Sequence, residues 1–158
     1  MVKTNVLRLL EAAGIACEPL YYDLGDTEFS GEAVRDSLGL EEGRSFKTLC
    51  ARGESGRALV YVIPVEATLD LKKAAKAAGE KKLALLPLKE LRDLTGYERG
   101  AVSPIGMKKL FPTFIDETAI LFDTIAVSAG AKGISVYVAP EELRAFVEAQ
   151  FADITEES

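Results

Sequence analysis

Two short segments hold the residues best placed to do chemistry. Phe46-Lys47-Thr48-Leu49 sets a lysine inside an otherwise apolar, strand-like run. An ammonium group there is costly unless an anion or another partner meets it, and a phosphate is one such partner. The alternative is a strand-edge lysine whose stem lies on apolar surface while its head reaches solvent. Thr95-Gly96-Tyr97-Glu98-Arg99-Gly100-Ala101-Val102-Ser103-Pro104-Ile105-Gly106 is a glycine-punctuated loop stiffened by Pro104, a construction that lets backbone come close to another group. The chain has no histidine, which excludes imidazole as base, nucleophile or metal ligand. Cys17 and Cys50 have no histidine partner and fall in segments that read as buried, so they are expected as small core hydrophobes rather than nucleophiles. Two cysteines are too few for a disulfide framework, and a zinc site without histidine is not expected. The reading therefore expects no metal and no cofactor.

The elements that must position these residues follow from periodicity and punctuation. Residues 4–13 read as an amphipathic helix closed by Gly14, and 15–24 as extended. Ser30 caps a short helix ending at Gly39. Phe46–Ala51 and Ala58–Ile63 read as a hairpin joined by a glycine-containing loop. Asp70 caps a helix through Ala78, with Leu71, Ala74, Ala75 and Ala78 inward and Lys72, Lys73 and Lys76 outward. A strand at Leu83–Leu86 precedes a helix that Pro87 starts and Gly96 closes. Phe114–Ile115, Thr124–Ser128 and Ile134–Val138 are strands, the last two separated by a turn at Ala129-Gly130-Ala131-Lys132-Gly133. Pro140 opens a final helix whose apolar side takes in Leu143, Phe146, Val147 and Gln150. This is a mixed α/β pattern without a regular βαβ rhythm, expected as a curled or barrel-like mixed sheet with helices outside.

At 158 residues, with no linker, repeat or low-complexity block, residues 1–158 read as a single domain. The longest apolar run, Ala58 to Val65, is too short to span a bilayer, and Arg8 and Glu11 interrupt the N-terminal apolar segment. A cytoplasmic protein with reduced thiols is the expectation. The net charge of -6 argues against indiscriminate nucleic-acid binding, but the charges are segregated. Between Lys72 and Arg92 seven basic residues face two acidic ones, whereas from Asp116 onward Lys132 and Arg144 stand against nine carboxylates. The basic stretch is either a face for a polyanion or a solvated lysine-rich surface.

The motifs Phe46-Lys47-Thr48-Leu49, Leu69-Asp70-Leu71-Lys72-Lys73, Gly79-Glu80-Lys81-Lys82, Thr95-Gly96-Tyr97, Gly100-Ala101-Val102-Ser103-Pro104-Ile105-Gly106 and Val127-Ser128-Ala129-Gly130 occur in an order that resembles the YbaK/EbsC family. Its members are free-standing relatives of the editing domain inserted in bacterial prolyl-tRNA synthetase. The resemblance runs from about Thr4 to Ile154 and is greatest to the branch that deacylates Cys-tRNA(Pro). It implies that Lys47 contacts a phosphate of the terminal nucleotide of an aminoacylated tRNA. Gly100 would bring a backbone amide to the ester, and Ser128 would help to steady the oxyanion. Tyr22, Phe29, Thr48, Ala101 and Gly130 would belong to the surrounding substrate pocket. Ala101 and Ala129 stand where the family often has glycine pairs, and Ser135 where it often has an acid, which bears on amino-acid specificity.

The resemblance also implies substrate-assisted chemistry, in which the thiol of the mischarged cysteine attacks its own carbonyl, releasing the tRNA and a cyclic thioester. A related route uses the terminal ribose hydroxyl and suits Ala-tRNA(Pro). Prolyl-tRNA synthetase is the expected partner, supplying tRNA selectivity that a weakly binding domain lacks. Two other readings compete: a non-catalytic module that binds a nucleotide or tRNA end, and a Schiff-base enzyme using Lys47.

Overall fold

A computed structural model describes residues 3–157. Its helices are α1 (Asn5–Ala12), α2 (Gly31–Leu38), α3 (Leu71–Ala78), α4 (Leu88–Thr95) and α5 (Pro140–Phe146). Its strands are β1 (Cys17–Tyr21), β2 (Phe46–Gly53), β3 (Ala58–Pro64), β4 (Leu83–Leu85), β5 (Thr113–Asp116), β6 (Ile125–Ala131), β7 (Ile134–Val138) and β8 (Gln150–Ala152). A short 3-10 helix, Glu117–Leu121, follows β5.

The helix ends lie where side chains can satisfy free backbone groups. Ser30 Oγ accepts from the Ala33 amide, and one Asp70 oxygen accepts from both the Lys72 and Lys73 amides. Gly39, Gly79 and Gly96 close α2, α3 and α4 in the left-handed conformation that glycine takes at little cost.

The strands form two sheets: an antiparallel β1-β7-β6 and a mixed β4-β2-β3-β5-β8, in which β5 is parallel to both neighbours. They touch through a parallel bridge between Ser45 and Ala126, with the Ala126 amide donating to the Arg44 carbonyl at 3.0 Å. The result is a mixed α/β fold with curled sheets, not a closed barrel.

Every residue of β3 is buried. Val60 and Val62 pack into a core shared with the three-stranded sheet, α1 and α5, while Leu59, Tyr61 and Ile63 pack against the alanine face of α3. A strand covered on both faces loses polar/apolar alternation, which is why 58–65 is continuously apolar. The Tyr61 hydroxyl, buried in this second layer, donates to the Ala74 carbonyl at 2.8 Å.

The β2–β3 turn is tied by Glu80, whose side chain is only 4% exposed. Its carboxylate accepts from the Ser55 hydroxyl (2.7 Å), Arg57 Nε (2.6 Å) and the Ser55 amide (3.0 Å). The Ser55 and Arg57 donors hold its pKa at about 2, against 4.5 ordinarily. A folded-state pKa below the unfolded one gives stability that is present above pH 4.5 and fades as pH falls toward 2. Glu80→Gln is therefore expected to flatten the acid limb of a stability–pH curve across that window in chemical denaturation. An unchanged acid limb would mean that Glu80 does not carry it.

Two element ends and one strand differ from the sequence expectation. β6 continues through the expected turn to Ala131, with a bulge between Ser128 and Ala131, so the reversal is confined to Lys132-Gly133. Gln150 leaves the final helix: α5 stops at Phe146, Glu148 adopts a φ of 54°, and 150–152 become β8 beside β5. The parallel β5–β8 pairing supplies partners that no local pattern announces.

Candidate functional site

The N-terminal half of β2 borders an open edge, because β4 pairs only with Ala51–Gly53. Beside that edge lies a cavity of about 420 Å³. Its wall takes Tyr22, Phe29 and the first turn of α2 from one side, Phe46–Leu49 from β2, Leu88 and Leu91 from α4, and Ser128 and Ser135 from β6 and β7. Arg99, Gly100 and Val102 bring in the glycine loop. Six expected site residues, Tyr22, Phe29, Lys47, Thr48, Gly100 and Ser128, thus meet at one cavity; Ala101 and Gly130 stand behind the wall.

Lys47 and Thr48 are half-buried on the wall, and neither side chain has a hydrogen bond or ion pair among the described residues. A half-buried ammonium with no ion-pair partner favours an anionic ligand. Nor do the Gly100 and Val102 amides donate a hydrogen bond within the described protein. Gly100 has φ +86°, and a Cβ there would lie 3.0 Å from the Phe29 ring and 3.1 Å from Lys132 Cε. Phe29 and Lys132 therefore pack against the space that a side chain would fill.

The residues behind the wall hold the loop in place. The Ser128 hydroxyl donates to the Ala101 carbonyl at 2.9 Å and accepts from the Gly130 amide at 3.1 Å. In this structure its proton thus points to the loop carbonyl rather than into the cavity. The Tyr97 hydroxyl donates to the Ile105 carbonyl, and its ring lies against Gly130, where a Cβ would come within 3.0 Å of both Tyr97 and Val6. Gly130, with φ +91°, therefore makes room for Tyr97 beneath the loop. Ala101, 4% exposed, supplies the carbonyl that anchors the loop to β6.

Neither cysteine borders the cavity. Burial raises the Cys17 thiol pKa, and pushes that of the nearly enclosed Cys50 up to about 11. Thiolate character is thereby suppressed at both. Among the described residues, no group of three or more cysteine and acidic side chains is placed to hold a metal ion.

The sequence reasoning missed Arg99 and Glu32. Arg99 adjoins Gly100 in the same loop, a local signal that was available. Glu32 reaches the cavity only because α2 presents its first turn there. The basic 72–92 stretch gives the wall Leu88 and Leu91 but none of its cations; Lys73 instead pairs with Asp153, and Arg92 with Glu98.

A mixed α/β domain with an apolar, cation-bearing cavity and unengaged loop amides is the class that the fold and site define. The chain belongs to the aminoacyl-tRNA editing domain family, whose sequence profile matches residues 28–146. It is 45% identical over 153 residues to EbsC of Enterococcus faecalis (strain ATCC 700802 / V583), a candidate Cys-tRNA(Pro)/Cys-tRNA(Cys) deacylase, covering 97% of this chain and 93% of that protein. It is 29% identical over 115 residues to YwhH of Bacillus subtilis (strain 168), covering 73% of each. Among solved structures, a candidate trans-editing enzyme for prolyl-tRNA synthetase superposes with a TM-score of 0.82 at 26% identity, covering 99% of this chain and all of that one.

Proposed function

We propose that this protein is a trans-editing deacylase that removes cysteine from mischarged tRNA, with Cys-tRNA(Pro) as its principal substrate and the cysteine's own thiol as nucleophile. The observation that carries this reading is the composition of the cavity wall. It presents the unpaired Lys47 beside loop amides that no protein acceptor occupies, and it contains neither thiol nor imidazole. A wall of that kind is suited to hold a reactive ester and to stabilise developing negative charge, while leaving nucleophilic attack to the substrate.

Lys47 would meet a phosphate of the terminal nucleotide, and the Gly100 amide would face the ester carbonyl. The substrate sulfur then bonds to the carbonyl carbon and the ester C–O bond breaks. The thiol proton finishes on the departing ribose oxygen, and water later opens the cyclic thioester. Serine, with a weaker nucleophile, and alanine, with none, would be poor substrates. Ribose-assisted hydrolysis of Ala-tRNA(Pro) is the competing route. The 45% identity to EbsC favours cysteine.

The test is deacylation of Cys-tRNA(Pro) and Ala-tRNA(Pro) in parallel, with and without prolyl-tRNA synthetase. The expected result is rapid loss of cysteine with alanine retained, sharpened toward tRNA(Pro) when the synthetase is present. A Glu32→Gln control should keep the rate, because the one carboxylate on the wall is not the base in this scheme. Faster loss of alanine would replace the thiol route with the ribose route, and no acceleration of either ester would make the domain a binding module.

A further inference from the structure

Most arginines of this chain are committed to carboxylates: Arg35, Arg44, Arg52, Arg57, Arg92 and Arg144 all form ion pairs. Arg99 does not among the described residues, although acidic residues outnumber basic ones 25 to 19 in the chain. It is exposed, borders the cavity and directly precedes Gly100. Its neighbour Glu98 is turned to Arg92 at 3.1 Å. Lys132, from the β6–β7 turn, reaches the same place from the other side. Its Cε lies 3.1 Å from where a Gly100 Cβ would sit, and its ammonium stands 5.6 Å from the centroid of the Phe29 ring. Lys132 likewise has no carboxylate partner among the described residues. Two exposed cations without a carboxylate partner among the described residues therefore adjoin Gly100, Arg99 on the cavity lining and Lys132 packed against Gly100, while Lys47 lies half-buried on the wall.

We infer that Arg99 and Lys132 form a second anion subsite, which takes a phosphodiester of the single-stranded nucleic-acid end whose terminal ester enters the cavity. This rests on the proposed function and deepens it. One cation on the wall and two beside Gly100 match a ligand that carries a phosphate at each successive nucleotide. Guanidinium suits a phosphodiester because it can donate two parallel hydrogen bonds, while Lys132 adds a point charge.

The test is binding of a fluorescent single-stranded oligoribonucleotide ending in CCA, followed by anisotropy across a salt series, which needs no catalysis. Arg99→Gln/Lys132→Gln is expected to weaken binding about 10- to 100-fold, the range for removing two charge-assisted interactions that salt partly screens. The log–log salt slope should become shallower by about 0.7 for each phosphate that the variant no longer neutralises. Both side chains are exposed and unpaired, so thermal unfolding should be unchanged. In turnover, the wild-type preference for cysteinyl oligonucleotide over cysteinyl adenosine 5′-monophosphate, which keeps the phosphate proposed for Lys47 and lacks the next one, should shrink through KM. Unchanged affinity and salt slope would overturn the subsite, as would an equal kinetic loss on both esters. Failure of wild type to hydrolyse either ester would sink the deacylase reading instead, and the oligonucleotide titration would still decide the subsite.

Discussion

Replacing Lys47 with alanine is expected to reduce deacylation of Cys-tRNA(Pro) by about 100-fold or more while leaving the fold intact. Lys47 has no hydrogen bond or ion pair among the described residues, so its removal strands no buried charge there and breaks no hydrogen bond. Its alternating neighbours Phe46 and Cys50 keep their places in the core between the sheets. The kinetic loss comes from two sources: the phosphate interaction, worth roughly 1.5–3 kcal/mol, and the misplacement of an ester that must be held in attack geometry. Lys47→Met keeps most of the apolar stem and removes only the charge. It should lose nearly as much activity as alanine and melt at or slightly above the wild-type temperature. Steady-state rates with circular-dichroism melting of both variants check this. Retained turnover in either variant would remove Lys47 from the mechanism, and a large fall in melting temperature would make it a structural residue.

What made Lys47 legible was a local conflict, a cation placed in an apolar strand, and such conflicts survive in sequence because they involve neighbours along the chain. The caps at Ser30, Asp70, Gly39 and Gly96 were legible for the same reason: a cap is settled within four residues of itself. β8 was not, because Gln150–Ala152 becomes a strand only where the parallel β5 lies beside it. The division into two sheets depends on a single bridge between Ser45 and Ala126, and no periodicity encodes it. The site divides similarly. Gly100 announced itself as a glycine in a stiffened loop. Ser128 announced itself too, but its role is set by where the Ala101 carbonyl lies, 27 residues away. Gly130 read as pocket, and in the fold it packs against Tyr97 outside the cavity lining, a contact no local pattern announces.

That distinction between the lining and what lies outside it leads to the second large effect, at Gly100. Gly100→Ala is expected to lower kcat by at least tenfold, well beyond what its loss of stability explains. Two costs combine there. A methyl at φ +86° is strained by about 1–2 kcal/mol, and it meets the Phe29 ring at 3.0 and 3.2 Å and Lys132 Cε at 3.1 Å. Relief requires Phe29 or the loop to move, and either shift displaces the Gly100 amide from the carbonyl it is proposed to face. An error of about 1 Å in such placement is enough for a loss near 100-fold. Gly56→Ala isolates the strain: Gly56 has φ +96°, no heavy atom within 4 Å of its Cβ position, and a place in the β2–β3 turn away from the cavity wall. Gly100→Ala should lose somewhat more stability than Gly56→Ala because of its close contacts, but only Gly100→Ala should lose catalysis, and its KM should change less than its kcat. Equal kinetic effects in both would reduce Gly100 to a turn glycine, with the oxyanion donors sought elsewhere on the wall, first at the Val102 amide.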